Sequence, residues 1–160
     1  MKLTTRGHYS VKALLDLSLQ PVDALSSVRV IAQRQQLPAP YLEKLLIDLR
    51  RASLVVSVRG AHGGYRLAKP PSQISLGQIL EAVGEPVSEL SFAPVGSDRD
   101  GAVITGSSPM PQAEDWVTSM LWQRLHQKLK EAFHSITLED LYYDARSWQA
   151  AQGEGASFVV

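Results

Sequence analysis

The chain has 160 residues and a formal net charge of zero, with 44% apolar and 20% charged residues. This length and composition favour an ordinary globular protein with one domain, or one domain plus an added element. It contains no cysteine, which excludes disulfides, thiol catalysis and any site held by thiolates. No apolar run is long enough to span a membrane, and the first six residues do not resemble a signal peptide. We therefore expect a cytoplasmic protein with no membrane partner.

The zero net charge conceals two halves of opposite sign. Residues 1–69 contain eleven Lys or Arg and four Asp or Glu, whereas residues 70–160 contain five and twelve. A basic block of this kind favours contact with a polyanion. The alternative is that the charges are spread by chance over solvated surfaces, and charge alone does not decide between the two.

Three helices are predicted in the first half of the chain. Apolar residues at helical spacing predict a helix over Thr5 to Leu19 and a shorter one over about Val28 to Gln35, with Ser27 as the N-cap of the second. A third helix begins near Pro40, where the missing N–H of proline is tolerated in the first turn. The clearest apolar stripe in the sequence lies on this helix and consists of Leu42, Leu45, Leu46 and Leu49.

A β-hairpin is predicted after the third helix. The β-branched segment 54–58 and the segment 65–68 predict two strands, and the glycine-rich residues 60–64 predict the turn between them. The order helix, short helix, turn, helix and hairpin is that of a winged helix-turn-helix. The sequence therefore predicts a mostly α fold with a small β-hairpin wing, and this domain spans residues 1–70.

The next segments connect this domain to the rest of the chain. Ser75 and Gln78 fit the two positions of a capping box and predict a connecting helix within residues 71–87. Residues 88–112 are rich in Ser, Gly, Pro and Asp and have no apolar period, so they predict a long flexible loop.

A long helix with an apolar stripe is predicted within residues 113–150, followed by a single helical turn capped by Thr137. Residues 151–160 are predicted to form a disordered tail. A small winged helix offers little surface for such a long helix to cover, so pairing with a second copy is favoured over folding back onto the same chain. The residues predicted to form this dimer contact are Val117, Leu121, Trp122, Leu125 and Leu129.

Several stretches of the chain resemble the bacterial winged-helix repressor family that includes the iron–sulfur assembly regulator IscR, NsrR and CymR. The resemblance implies a homodimer crossed by its long helices and bound to a two-fold symmetric operator in double-stranded DNA. The third helix would lie in the major groove and the wing would reach the minor groove. The stretches that carry the resemblance are residues 1–17, 31–35, 41–46, 54–70, 74–83 and 116–141.

The resemblance also implies roles for individual residues. Tyr41, Glu43 and Lys44 stand at the start of the third helix, which meets bases in such docking, and Glu43 can accept a hydrogen bond from a cytosine amino group. Arg59 at the wing tip can enter a narrow minor groove, where negative potential is focused. The implied phosphate contacts, which position the protein without reading sequence, are Thr5, Arg6, Tyr9, Arg51, Gly60, His62 and Arg66.

The chain departs from the family pattern in three respects. Many members hold an iron–sulfur cluster on three cysteines in the loop that corresponds to 88–112, and this chain has none. We therefore expect no cofactor and no metal site. Gln36 stands where a glycine is usual between the second and third helices, and Pro38 replaces the usual serine cap. A left-handed conformation at Gln36 would cost about 1 kcal/mol.

Two functions other than DNA-binding regulation are considered, a protein–protein interaction module and an enzyme. Winged helices also serve as protein–protein interaction modules, so a module with no operator is the alternative. An enzyme is not expected, because the sequence shows no catalytic constellation or phosphate-binding loop. The sequence does not identify an effector, either a small molecule or a protein.

Overall fold

The computed structural model describes residues 4–85 and 113–155, and within them the chain forms six α-helices and one two-stranded antiparallel sheet. The predicted winged-helix order is confirmed. The predicted loop at 88–112 and residues 156–160 of the predicted tail lie outside the described residues. The elements are α1 Thr5–Ser18, α2 Val28–Gln35, α3 Ala39–Arg51, β1 Val55–Val58, β2 Gly64–Leu67, a 3₁₀ turn Pro71–Gln73, α4 Leu76–Ala82, α5 Ala113–Ser135 and α6 Leu138–Gly155.

A hydroxyl side chain caps each of the first two helices, and the predicted cap at Ser27 is confirmed. The Thr4 hydroxyl accepts the Arg6 amide at 3.2 Å and caps α1, and the Ser27 hydroxyl accepts the Val30 amide at 3.3 Å and caps α2. Each bond satisfies one of the amides that a helix N-terminus leaves without an intrahelical partner. Helix α3 has no such cap, because its N-cap residue is Pro38.

The core forms around the leucine stripe of α3. Leu42, Leu45, Leu46 and Leu49 are at most 1% exposed, and burial of each side chain contributes roughly 1.5–3 kcal/mol. Helices α1, α2 and α4 cover this stripe with Leu14, Ile31 and Ile79, which are fully buried. The stripe thus fixes which face of α3 is inside and leaves the opposite face to solvent.

The turn between α2 and α3 is closed by a left-handed residue. Gln36 adopts φ 54° and ψ 47°, and the Leu37 amide donates to the Ala32 carbonyl at 2.9 Å. This is the conformation that glycine adopts most readily after a helix. The chain therefore keeps the geometry of the turn while carrying a residue that is less suited to it.

The hairpin is joined to the segment before α2 by a short bridge. Strand β1 pairs antiparallel with β2, from Val55 opposite Leu67 to Val58 opposite Gly64. Ser26 extends the sheet, because its amide donates to the Tyr65 carbonyl at 3.0 Å and its carbonyl accepts the Tyr65 amide at 2.8 Å. A Cβ on Gly64 would lie 2.8 Å from the Ser26 backbone, so only glycine permits this close approach.

A buried carboxylate connects α1, α2 and this bridge. Asp16 is 3% exposed and accepts hydrogen bonds from Arg34 Nε at 3.0 Å, Arg34 Nη2 at 2.6 Å and Gln35 Nε2 at 2.9 Å. Arg34 Nη2 also donates to the Ser26 hydroxyl at 2.8 Å. A buried charge is tolerated only when it is paired and hydrogen-bonded, so this network fixes the position of α2 relative to α1 and the hairpin.

The C-terminal end of α5 packs against α4. The predicted capping box of α4 is confirmed, with reciprocal bonds between Ser75 and Gln78. An added Cβ on Gly77 would overlap the His134 ring, and His134 Nε2 lies 3.6 Å from Glu81 Oε1. The absence of a side chain on Gly77 therefore allows α5 to approach α4 closely.

The prediction for the C-terminal region is too short. The sequence predicts a single helical turn after Thr137 and disorder from residue 151, whereas α6 is an 18-residue helix from Leu138 to Gly155. Leu138 is fully buried in the core and Leu141 packs against it. This anchor begins the helix, and the following residues include no proline that would end it.

Candidate nucleic-acid interface

The first two turns of α3 present three side chains to solvent. Tyr41, Glu43 and Lys44 are exposed on the face opposite the buried leucine stripe. They lie within six residues of Pro38, in the N-terminal half of the helix. This combination of an acceptor, a cation and an aromatic hydroxyl at a helix N-terminus is suited to hydrogen bonding with base edges.

An aromatic contact joins α1 to this face. The rings of Tyr9 and Tyr41 pack edge to face with centroids 5.9 Å apart. Tyr9 is half-buried, and Thr5 and Arg6 are exposed one turn before it on α1. The structure therefore brings the predicted contacts of α1 next to those of α3, and Tyr9 also acts as a support for Tyr41.

A shared carboxylate lies between two of the predicted phosphate contacts. Arg6 Nη2 lies 2.5 Å from Asp48 Oδ2, and Arg51 Nη1 lies 3.5 Å from Asp48 Oδ1. Asp48 leaves this trio with a net charge of +1 and orients both guanidinium groups. The spacing of Asp48 and Arg51 within one helix was a detectable signal, but the contact with Arg6 depends on tertiary packing.

The wing carries the remaining predicted contacts. Arg59, Gly60 and His62 are exposed at the turn between β1 and β2. Arg66 differs from them, because it lies within β2 opposite Val56 and is half-buried. Arg50, which the sequence analysis did not select, donates to the Ser57 hydroxyl at 3.2 Å and ties the end of α3 to β1.

The N-terminus of α1 is occupied by an acidic side chain that the sequence analysis missed. Glu85 Oε1 accepts the Gly7 amide at 3.1 Å and also the Thr4 hydroxyl. A carboxylate at this position is favoured by the partial positive charge of a helix N-terminus. The contact spans 78 residues of sequence, so no local pattern could reveal it.

Helix α5 exposes most of its predicted dimer contacts. Val117 and Leu121 are each 56% exposed, and Leu125 is 40% exposed. Trp122 is 36% exposed, and Leu129, nearer the joint with α4, is half-buried. The described residues thus leave much of this apolar face of α5 exposed.

A match to the Rrf2 family, which is described as iron-dependent transcriptional regulators, covers residues 3–144. This chain is a member of the Rrf2 family. Among Rrf2 relatives, a protein of Synechocystis named as an HTH-type transcriptional regulator, slr0846, is 58% identical over 160 residues and covers 100% of both chains. The HTH-type transcriptional regulator IscR of Cereibacter sphaeroides is 37% identical over 143 residues and covers 88% of this chain and 86% of its own.

Solved structures of Rrf2 relatives have the same fold. The structure of T. potens IscR is 36% identical, has a TM-score of 0.68, and covers 93% of this chain and 91% of its own. CymR, the global cysteine regulator of B. subtilis, is 32% identical with a TM-score of 0.67, covering 89% and 97%. The predicted resemblance is confirmed, and this Rrf2 protein is a DNA-binding transcriptional regulator with a winged-helix fold.

Neither a metal centre nor a membrane span is found in the described part of this Rrf2 protein. Residues 4–85 and 113–155 contain no group of three His, Cys, Asp or Glu side chains that could hold a metal ion. The helices within the same residues are too short or too polar to cross a bilayer.

Proposed function

We propose that this protein regulates transcription as a homodimer, with two copies of α3 reading a two-fold symmetric operator. The observation that supports this most directly is the exposure of Tyr41, Glu43 and Lys44 in the first two turns of α3. In a two-fold dimer the two copies of α3 would enter successive major grooves, roughly 34 Å apart.

Base and groove contacts are assigned by chemistry. Glu43 accepts a hydrogen bond from a cytosine amino group, and Lys44 donates to guanine acceptors. Arg59 enters the minor groove. Phosphate contacts come from the exposed residues of α1 and the wing, and Asp48 holds Arg6 and Arg51 at a fixed position for this purpose.

The exposed face of α5 supports the dimer. Val117, Leu121 and Leu125 would lose contact with water when a second copy covers them, at a gain of roughly 25 cal/mol per Å² of apolar surface. Since α5 contacts the winged-helix body (residues 4–85) near His134, pairing along α5 would also set the distance between the two reading helices.

The regulator works without an iron–sulfur cluster held by cysteine. The family description implies iron, but the donor set of this chain does not fit a thiolate-held cluster, because its 160 residues include no cysteine. Protein purified without oxygen should contain no stoichiometric iron or sulfide and should have no visible charge-transfer absorption. A visible band with bound iron would overturn this part of the proposal.

DNA selection tests the operator. Purified protein is used to select fragments from the source genome, and binding is then measured by fluorescence anisotropy at several salt concentrations. Arg59→Ala and Glu43→Ala should each reduce the preference for the selected site by about tenfold or more. Arg146→Ala and Asp144→Ala on α6 remove the same charges from exposed positions and should leave the preference unchanged.

Two results would contradict the proposal. If Arg59→Ala and Glu43→Ala leave binding to every selected fragment unchanged, these residues do not read the operator. If no fragment is preferred over random DNA at any salt concentration, the winged helix does not act on an operator and a protein–protein role takes precedence.

A further inference from the structure

A cavity of about 390 Å³ lies between the C-terminal end of α1, the loop that follows it, and strand β2 with its continuation. Its volume falls in the range of small-molecule sites. Leu17 and Pro21 line it from one side, and Leu67 and Pro70 from the other. Apart from Arg66, none of the residues proposed to contact DNA lines this partly open space.

Two cations line this cavity, together with apolar residues and the neutral polar side chains of Ser18 and Gln20. Arg66 and Lys69 both contribute to its wall, and no Asp or Glu does. Both residues are half-buried, and neither side chain forms a hydrogen bond or ion pair with any described residue. A half-buried Lys or Arg has lost part of its hydration, and this loss is not compensated in Arg66 and Lys69 until an anion binds.

We propose that this cavity binds a small organic carboxylate with an apolar tail. The carboxylate would accept charge-assisted hydrogen bonds from Arg66 and Lys69, and the planar guanidinium of Arg66 suits a bidentate contact. The tail would pack against Leu17, Pro21 and Pro70. A fully hydrated inorganic anion would leave these apolar walls uncovered, so the lining favours an amphipathic ligand over free phosphate.

Occupancy of the cavity would act on the wing. Arg66 belongs to β2, the strand that leads away from the wing tip, and it is also one of the predicted phosphate contacts. A carboxylate on this guanidinium competes with a DNA phosphate for the same donors. This consequence rests on the proposed function, and it predicts that the bound ligand lowers the affinity for DNA.

Binding is tested first without DNA. The ¹⁵N-labelled protein is titrated with 3-phenylpropionate and hexanoate as probes, and with 3-phenylpropan-1-ol as the neutral counterpart. Saturable amide shifts are expected at Ser18, Val22 and Leu67 for the carboxylates, and the alcohol should bind about tenfold more weakly. Inorganic phosphate should produce no saturable shifts at these amides.

Matched variants test whether the positive charge of Lys69 contributes to carboxylate binding. Lys69→Gln should weaken carboxylate binding about tenfold, whereas Lys128→Gln, which removes the same charge from an exposed position on α5, should not change it. The proposal is overturned if neither carboxylate shifts these amides at millimolar concentration, if alcohol and carboxylate bind equally, or if the shifts fall only on α5.

The effect on DNA is measured separately, on a selected operator fragment. Saturating 3-phenylpropionate should lower DNA affinity about tenfold or less, through the loss of one phosphate contact, and Lys69→Gln should reduce this effect. Carboxylate binding with unchanged DNA affinity would refute the competition but not the site. Failure to bind any DNA without ligand would refute the proposed function and leave the amide result intact.

Discussion

The winged-helix body and helix α5 differ in how far their apolar side chains are buried. In the body, the leucines of α3 are at most 1% exposed, whereas on α5 Val117 and Leu121 are each 56% exposed. Both elements have apolar residues at helical spacing, so the sequence pattern alone does not separate them. The difference shows that the body completes its core within one chain, while the apolar face of α5 requires another surface to cover it.

The joint between these two regions lies at the end of α5. His134 packs on Gly77, and Leu138 at the start of α6 is fully buried in the body. Leu129 is half-buried, and exposure of the apolar residues is greater further from the joint. The C-terminal end of α5 is therefore fixed on the body. A partner that binds the exposed apolar residues of α5 would have a defined position relative to the body.

The largest expected effect comes from breaking the polar network inside the body. Arg34→Met leaves the Asp16 carboxylate, which is 3% exposed, without its cationic partner. An uncompensated buried charge costs about 3 kcal/mol of unfolding free energy, measurable by urea denaturation. Arg29→Met, on the exposed side of the same helix, should cost far less. Equal losses in both variants would show that the network does not stabilise the body.

A smaller effect is expected on the α5 side of the comparison, and it should appear in assembly rather than folding. Leu121→Glu places a charge in the proposed dimer contact and should raise the dimer dissociation constant about 30-fold, the equivalent of a 2 kcal/mol hot spot. Gln123→Glu adds the same charge to a neighbouring exposed residue and serves as the control. Sedimentation velocity measures both, and a monomeric wild-type protein would contradict the premise.

The fold of the body was predictable because its signals are local. The caps at Thr4, Ser27 and Ser75, the stripe of α3 and the glycine-rich turn of the hairpin each lie within a few residues of the element that they define. The start of α6 was predicted from Thr137, but its length was missed because the sequence after Leu141 has only weak apolar periodicity.

For the candidate site, the sequence predicted which residues are exposed but not the contacts that their side chains make. Resemblance placed Tyr41, Glu43 and Arg59 on exposed surfaces, and the structure agrees with their exposure. It did not predict which of the cations are held by Asp48, or that Glu85 occupies the α1 N-terminus, because these contacts join residues 42 and 78 positions apart. Tertiary contacts between surface side chains leave no periodic signal in the sequence.

A stabilising change is expected at the turn between α2 and α3. Gln36 has φ 54°, a conformation that costs a non-glycine residue about 1–2 kcal/mol, while glycine loses more entropy on folding, by roughly 0.5–1 kcal/mol. Gln36→Gly should therefore raise the unfolding free energy by about 0.5 kcal/mol, measured by urea denaturation. Gln33→Gly, at an exposed position inside α2, should lower it, and a loss at both positions would contradict the assignment of strain to Gln36.

The smallest expected effect is on the joint between α5 and the body. It is the pH dependence of the stability that the Thr137–Asp140 contact gives to the start of α6. The Thr137 amide donates to Asp140 Oδ2 at 2.8 Å and the Thr137 hydroxyl also donates to it at 2.8 Å, which lowers the pKa of Asp140 in the folded protein. A lowered folded-state pKa means that the stabilisation is complete above the unfolded-state pKa and is lost as pH falls through the folded-state pKa.

Asp140→Asn should therefore reduce the unfolding free energy slightly at neutral pH, and the difference from wild type should shrink as the solution is acidified below about pH 4. Asp144→Asn, at an exposed position one turn further along α6, provides the matched control. Thermal unfolding followed by circular dichroism across this pH range measures the difference. A difference that stays constant on acidification would mean that the Asp140 charge does not hold the start of α6 against the body, and that the burial of Leu138 alone positions the joint.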